Sequence, residues 1–187
     1  MRLALSVLLL ASAAAFAAPP AKPVSQPKPE TQEQLFAKLK KAESAEEAHP
    51  IEEKLNAIFR ASSSPSVELL MVRTKAAMGM GDPKTALKLA QSVTQIAPGY
   101  AEGWHVRAAL EQAAEDDTAA LISLQKVVQL NPRNFTALTE LGDMLQDYGD
   151  KKAALKLYRQ ALELDPQLEG AARHVRELTR TVEGQDI

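Results

Sequence analysis

The sequence predicts an all-α protein built as a row of antiparallel helix hairpins. Three observations carry this. Residues of four types recur at a spacing of 34: Pro98, Pro132 and Pro166; Asp82, Asp116 and Asp150; Ala86, Ala120 and Ala154; Leu87, Leu121 and Leu155. That is the period of one helix–turn–helix unit. Within a unit the apolar residues fall on one helix face, as Leu138, Leu141, Gly142 and Leu145 do at i, i+3, i+4 and i+7. The composition agrees: of 187 residues 45% are hydrophobic and only 4% aromatic, too few β-branched and aromatic side chains for a β-sandwich. The length allows one domain of moderate core. The absence of cysteine excludes a disulfide scaffold, a thiolate zinc site, an iron–sulfur cluster and a cysteine nucleophile. A net charge of -2 argues against a nucleic-acid binder that works through a basic surface.

The elements follow in chain order. Residues 1–17 read as a secretory signal peptide. Arg2 supplies the positive start, Leu3 to Phe16 is an apolar run, and Ala15-Phe16-Ala17 places small residues where a signal peptidase reads, with cleavage before Ala18. The run is short of the ~20 residues that span a bilayer, so no integral span is expected in the mature chain. No cysteine follows it, so a lipoprotein anchor is excluded. Residues 18–30 hold five prolines and read as a disordered, extended linker, because proline fixes φ and removes the N–H that a helix or inner strand needs.

Residues 31–66 read as a degenerate helical hairpin. Leu35, Phe36, Leu39 and Ala42 form one stripe, and Ile51, Leu55, Ile58 and Phe59 another. Ser44-x-x-Glu47 has the pattern of a capping box, which leaves Pro50 either kinking that helix or starting it. The 34-residue register fails here, and the segment is expected to cover the first repeat. Three repeats follow at 67–100, 101–134 and 135–168. In the last, Tyr148-Gly149-Asp150 breaks the first helix, with glycine suited to a helix end and aspartate to the next N-cap. Asp165-Pro166 ends the second helix, since the residue before proline is pushed out of the α region. In the first repeat Gly81-Asp82-Pro83 makes the same turn with proline at the first helical position. Residues 169–183 form an amphipathic capping helix, as a solenoid end requires, and 184–187 a tail. On its polar face Glu169, Glu177 and Glu183 interleave with Arg173, Arg176 and Arg180, which predicts an ion-paired, solvated surface.

These units resemble tetratricopeptide repeats (TPR). The family pattern runs Trp-x2-Leu-Gly-x2-Tyr, then Ala-x3-Phe, Ala and Pro. The last unit matches it with Leu138, Leu141, Gly142, Leu145, Ala154, Tyr158, Ala161 and Pro166. The middle one matches with Trp104, Ala108, Ala120, Leu124, Val127 and Pro132, and the first with Leu70, Ala77, Ala86, Ala90, Val93 and Pro98. The resemblance implies an α-solenoid coiled as a right-handed superhelix, with a concave groove lined by the first helix of each repeat. Carried over residue by residue, the groove holds Met71, Lys75 and Met78; Glu102, His105 and Gln112; Thr136, Thr139, Asp143 and Gln146; and, at the junctions, Tyr100 and Asn134. Arg73 and Arg107 stand where the family pattern has leucine; either they are inward donors for a carboxylate, or, as is commoner for arginine, their stems pack and their heads reach solvent or a nearby glutamate. The asparagines with which some family members clamp a C-terminal carboxylate are missing.

No catalytic constellation is present. His49, His105 and His174 lack metal-ligand spacing, and G-x-S-x-G, G-x-x-x-x-G-K-[ST] and G-x-G-x-x-G are absent from the sequence. The expectation is a non-enzymatic interaction adaptor or scaffold of the cell envelope, in the periplasm, without metal or cofactor, that holds a peptide or helix of a protein partner in its groove. The alternatives are a homodimer that self-associates through the solenoid edges and, far behind, an envelope enzyme.

Overall fold

A computed structural model describes residues 30–184. Residues 1–17, read above as a signal peptide, residues 18–29 of the expected linker and residues 185–187 lie outside the described residues. Within them the chain is all-helical: α1 (Gln32–Leu39), α2 (Ala45–Arg60), α3 (Pro65–Gly79), α4 (Pro83–Ile96), α5 (Ala101–Ala113), α6 (Asp117–Leu130), α7 (Phe135–Asp147), α8 (Lys151–Leu164) and α9 (Glu169–Val182).

The residues that recur every 34 positions have recurring jobs. Asp82, Asp116 and Asp150 are the N-caps of α4, α6 and α8, each accepting a backbone N–H three residues on at 3.0 or 3.1 Å. That satisfies one of the amide groups a helix start leaves open. The residue before each aspartate turns left-handed: Gly81 (φ 73°), Glu115 (φ 61°) and Gly149 (φ 85°). Glycine enters that region without a Cβ penalty, whereas Glu115 is strained there. Ala86, Ala120 and Ala154 are fully buried where the two helices of a hairpin cross, as are Val93, Val127 and Ala161 two turns further. Small residues are matched to large ones across the hairpin. A Cβ on Gly142 would stand 2.8 Å from the Tyr158 ring, so only glycine lets that ring lie flat against α7.

The hairpins α3–α4, α5–α6 and α7–α8 stack in order, α4 on α5 and α6 on α7, and α9 closes the row against α8. The α8–α9 seam is apolar, with Ala154, Leu155, Tyr158, Ala171 and Leu178 buried together. His174 stacks on Tyr158 at 4.8 Å between ring centroids.

The segment before the repeats corrects two expectations. First, α2 starts at Ala45, capped by Ser44, and runs through Pro50, which neither starts the helix nor ends it. Glu47 accepts from the Glu43 N–H and not from that of Ser44, so the capping box is closed one residue early. Second, α1 and α2 do not cover the first repeat. They lie along the edge where the second and third repeats turn. Leu35, Phe36, Leu39, Ala42, Ala48 and Leu55 share one core with Phe135, Leu138 and Ala161. Phe59 packs edge-on to Phe135 at 6.3 Å. The Arg133 guanidinium sits 3.8 Å over the Phe36 ring and pairs with Glu33 at 2.5 Å. The Gln167 side chain donates to the Ala42 carbonyl at 2.7 Å.

Candidate functional site

The groove is built by α3, α5 and α7, with the C-terminal end of α2 as an added wall. The structure divides the residues carried over from sequence into three sets. Met71, Lys75, Met78, Tyr100 and Glu102 come together. With Val72, Thr74, Val106, Glu68 and Arg60 they line a cavity of about 300 Å³ between α3 and α5. Methionine and valine line it and its rim is charged. Tyr100 is fixed there: its hydroxyl donates to the Arg60 carbonyl at 2.5 Å. Burial, with Glu102 and Glu68 nearby, pushes its pKa up to about 12, so the phenol stays neutral.

His105 and Asn134 face a second, smaller space with Asn56, Phe59, Arg60, Glu102 and Thr136. His105 bridges two repeats, with Nε2 2.7 Å from Glu140 on α7 and Nδ1 3.5 Å from Glu102 on its own helix. Burial opposes its charge, but the hydrogen bonds to Glu102 and Glu140 outweigh it and push its pKa up to about 10. Asn134 is buried and serves as the N-cap of α7.

The remaining residues lie elsewhere. Asp143 and Gln146 are taken up by the end of the array: the Tyr158 hydroxyl lies 2.6 Å from Asp143 and 3.3 Å from Gln146, and burial with Asp143 raises the phenol above its usual pKa. Thr139 bonds back to the Phe135 carbonyl within its own helix. Gln112 lines a shallow space at the far edge, with Asp117, Met144, Asp147 and Tyr148.

The inward-donor reading of the two arginines does not hold. Arg73 is exposed. Arg107 is committed to the interior, where Nε donates to Glu111 at 2.6 Å, a guanidinium N–H donates to Thr94 at 3.3 Å, and the group lies 5.3 Å from the centre of the Trp104 ring. Glu111 is only 2% exposed and takes a second donor, the Ser123 hydroxyl, at 2.6 Å. A buried carboxylate needs such partners, and the i,i+4 spacing of Arg107 and Glu111 on an otherwise apolar stripe was the sequence signal for it. The expected ion-paired face of α9 is also absent. Glu183 turns to Arg159 at 2.6 Å and Glu177 to His174 at 3.9 Å, so among the described residues Arg173, Arg176 and Arg180 have no carboxylate within 4.0 Å. The sequence reading missed Arg60, Glu68, Val72, Thr74 and Val106 in the cavity. Val72 and Val106 share one repeat position, whereas Arg60 arrives from outside the repeats and had no periodic signal.

Among the described residues no group of three or more histidine and carboxylate side chains is placed to hold a metal ion. None of their helices is long and apolar enough to cross a membrane.

The fold is an all-α array of stacked helix hairpins, similar to the solenoids of TPR domains. The sequence model of the tetratricopeptide repeat family matches residues 135–168. A TPR repeat-containing protein of Rhizobium etli is 26% identical over 81% of this chain and 74% of its own length. Among solved structures, the Sgt2 TPR domain of Aspergillus fumigatus superposes with a TM-score of 0.55 at 23% identity, covering 64% of this chain and 81% of that one. The first TPR domain of Spaghetti, bound to an HSP90 peptide, superposes with a TM-score of 0.56 at 18% identity, covering 63% and 93%.

Proposed function

We propose that the chain is a non-catalytic adaptor that holds a peptide of a protein partner, by an apolar side chain, in the α3–α5 part of its groove. The observation that carries this is the cavity of about 300 Å³ lined by the apolar Met71, Val72, Met78 and Val106, with a rim of Arg60, Glu68, Lys75 and Glu102. Its size suits one bulky apolar side chain, and methionines adapt to the shape of what enters. The rim offers both charge signs to the backbone and neighbours of such a residue. The first TPR domain of Spaghetti, similar in fold, is bound to an HSP90 peptide. The non-catalytic part of the reading is supported by the groove carboxylates, which already have partners: Glu68 accepts from the Ser62 N–H, and Glu102 and Glu140 pair with His105.

A peptide library displayed on phage tests the reading. Enriched peptides are expected to share a large apolar residue, to lose binding to Met71→Glu and to keep it with Gln112→Ala. Absence of enrichment, or binding indifferent to Met71→Glu, contradicts it. The envelope location rests on residues 1–17. Residues 1–30 fused to a reporter that is active only outside the cytoplasm should switch it on, and replacing Leu8 and Leu9 by Arg should switch it off.

A further inference from the structure

Among the described residues, stacking leaves one face of the repeat array bare. In the second repeat, the third, sixth and tenth residues face the hairpin before them. A Cβ on Gly103 would come within 2.6 Å of Val93, Val106 packs on the core of Ala77, Ala86 and Ala90, and Leu110 is buried in that core. The same positions of the third repeat include Ala137 and Met144, both buried. In the first repeat they are Leu69, Val72 and Ala76. No hairpin precedes them there, because α1 and α2 lie on another edge, and Leu69 and Val72 are 52% and 64% exposed. Apolar side chains exposed singly are ordinary; a contiguous set on a face built for packing marks an association surface.

We propose that this face of α3 is a homodimer interface, in which α3 packs antiparallel on α3 of a second copy about a two-fold axis. Three features select a second copy. Pro65, Leu69, Val72, Ala76 and Gly79 alternate spacings of four and three along α3, the pattern by which two helices interlock. The other end of the array is closed by α9, whose outer face carries the exposed Arg173, Arg176 and Arg180. Head-to-tail stacking would set those guanidinium groups against the apolar stripe, which leaves a two-fold, self-complementary contact. The flank of the stripe is also complementary to itself. Glu68 and Lys75 lie seven residues apart on one side of α3. Setting Leu69 opposite Val72 of the second copy brings Glu68 near Lys75 of that copy, and symmetry repeats the pair. Glu68 keeps one carboxylate oxygen free of its bond to the Ser62 N–H, and Lys75 has no ion-pair partner among the described residues. One helix pair is a small interface, so association in the micromolar range is expected.

Sedimentation of the purified chain over a dilution series of about two decades tests this. The average mass should rise from monomer towards dimer with concentration. Val72→Glu, at a site exposed enough to leave the helix content unchanged, should remain monomeric throughout. Glu68→Lys should weaken association roughly five-fold at low salt, and adding Lys75→Glu should restore it. Ile122→Glu, at a residue 60% exposed on α6, should behave as the unaltered chain. A chain monomeric at every concentration overturns the proposal, as does a dimer that survives Val72→Glu or is lost equally to Ile122→Glu.

Discussion

The segments on either side of the repeats finish them in opposite ways. After the last repeat, α9 continues the stacking: Ala171 and Leu178 bury against Ala154, Leu155 and Tyr158, and Arg159 reaches across to Glu183. Before the first repeat, α1 and α2 leave the row and lie across the turns of the second and third repeats, held by Phe36, Leu39 and Leu55 against Phe135 and Leu138. One end of the row is therefore capped and the other presents Leu69 and Val72 to solvent. The difference teaches that a helix adjoining a solenoid caps it only when its apolar stripe matches the face that stacking leaves. The α1–α2 stripes are rich in large side chains and find the edge around Phe135 instead.

The largest expected effect breaks the N-terminal segment from its edge. Phe36 is 2% exposed and lies under the Arg133 guanidinium. Phe36→Ala should cost about 3–5 kcal/mol of hairpin docking. Hydrogen exchange should then speed up over α1 and α2 and stay slow in α4. At the other end Leu178, 5% exposed, should cost about 2–4 kcal/mol on change to Ala. Because α9 belongs to the row, that loss should appear as a lower midpoint of the whole thermal transition and not as local exchange.

A subtler difference is in pH. Only the N-terminal segment is docked through a pair of carboxyl groups. Asp165 is fully buried, accepts from the Gln167 N–H at 3.0 Å and lies beside the Glu52 carboxyl of α2. Its Oδ2 is buried without a hydrogen-bond partner among the described residues. Burial first, and then Asp165, push Glu52 up to about 7, with Glu53 adding and His49 opposing. Glu52 takes up a proton on docking, and burial raises Asp165 above the usual carboxylate range as well. The docked hairpin is accordingly most stable below the ordinary carboxylate pKa and loses stability as pH rises from about 4.5 through about 7. Hydrogen exchange in α2 should quicken over that window, and Glu52→Gln should flatten the dependence. His105, raised to about 10, acts in a different range: its bridge to Glu140 is fully present below the usual histidine pKa and fades as pH climbs through about 10. The smallest effect sharpens the comparison from between the ends. Glu115→Gly relieves the left-handed turn of the middle repeat and should stabilise by roughly 0.5–1 kcal/mol in a thermal melt. It should leave α2 exchange unchanged.

The repeating part of the fold was legible in the sequence because each repeat obeys the same local physics. Asp82, Asp116 and Asp150 announce helix starts, and Ala86, Ala120 and Ala154 announce close crossings. The edge docking of α1 and α2 was not legible. It joins residues such as Glu33 and Arg133 that lie 100 positions apart, and no period or spacing encodes such a contact. The groove was half legible. Met71, Lys75, Met78, Tyr100 and Glu102 do line one cavity, because repeat position fixes the face of α3 and α5 on which they stand. Asp143 and Gln146 stand on the corresponding face of α7 but are taken by Tyr158, a partner whose size the repeat pattern does not specify.

The open end of the row depends on where the N-terminal hairpin lies, and a cross-link reads that directly. The chain has no cysteine, so a pair of cysteines introduced at Ala42 and Gln167 reports only on their own proximity, against a second pair at Ala42 and Val72. With a short bifunctional reagent the first pair should close quickly and the second hardly at all. Rapid closure of Ala42 on Val72 instead would put the hairpin over the first repeat and contradict both the open end and the dimer built on it.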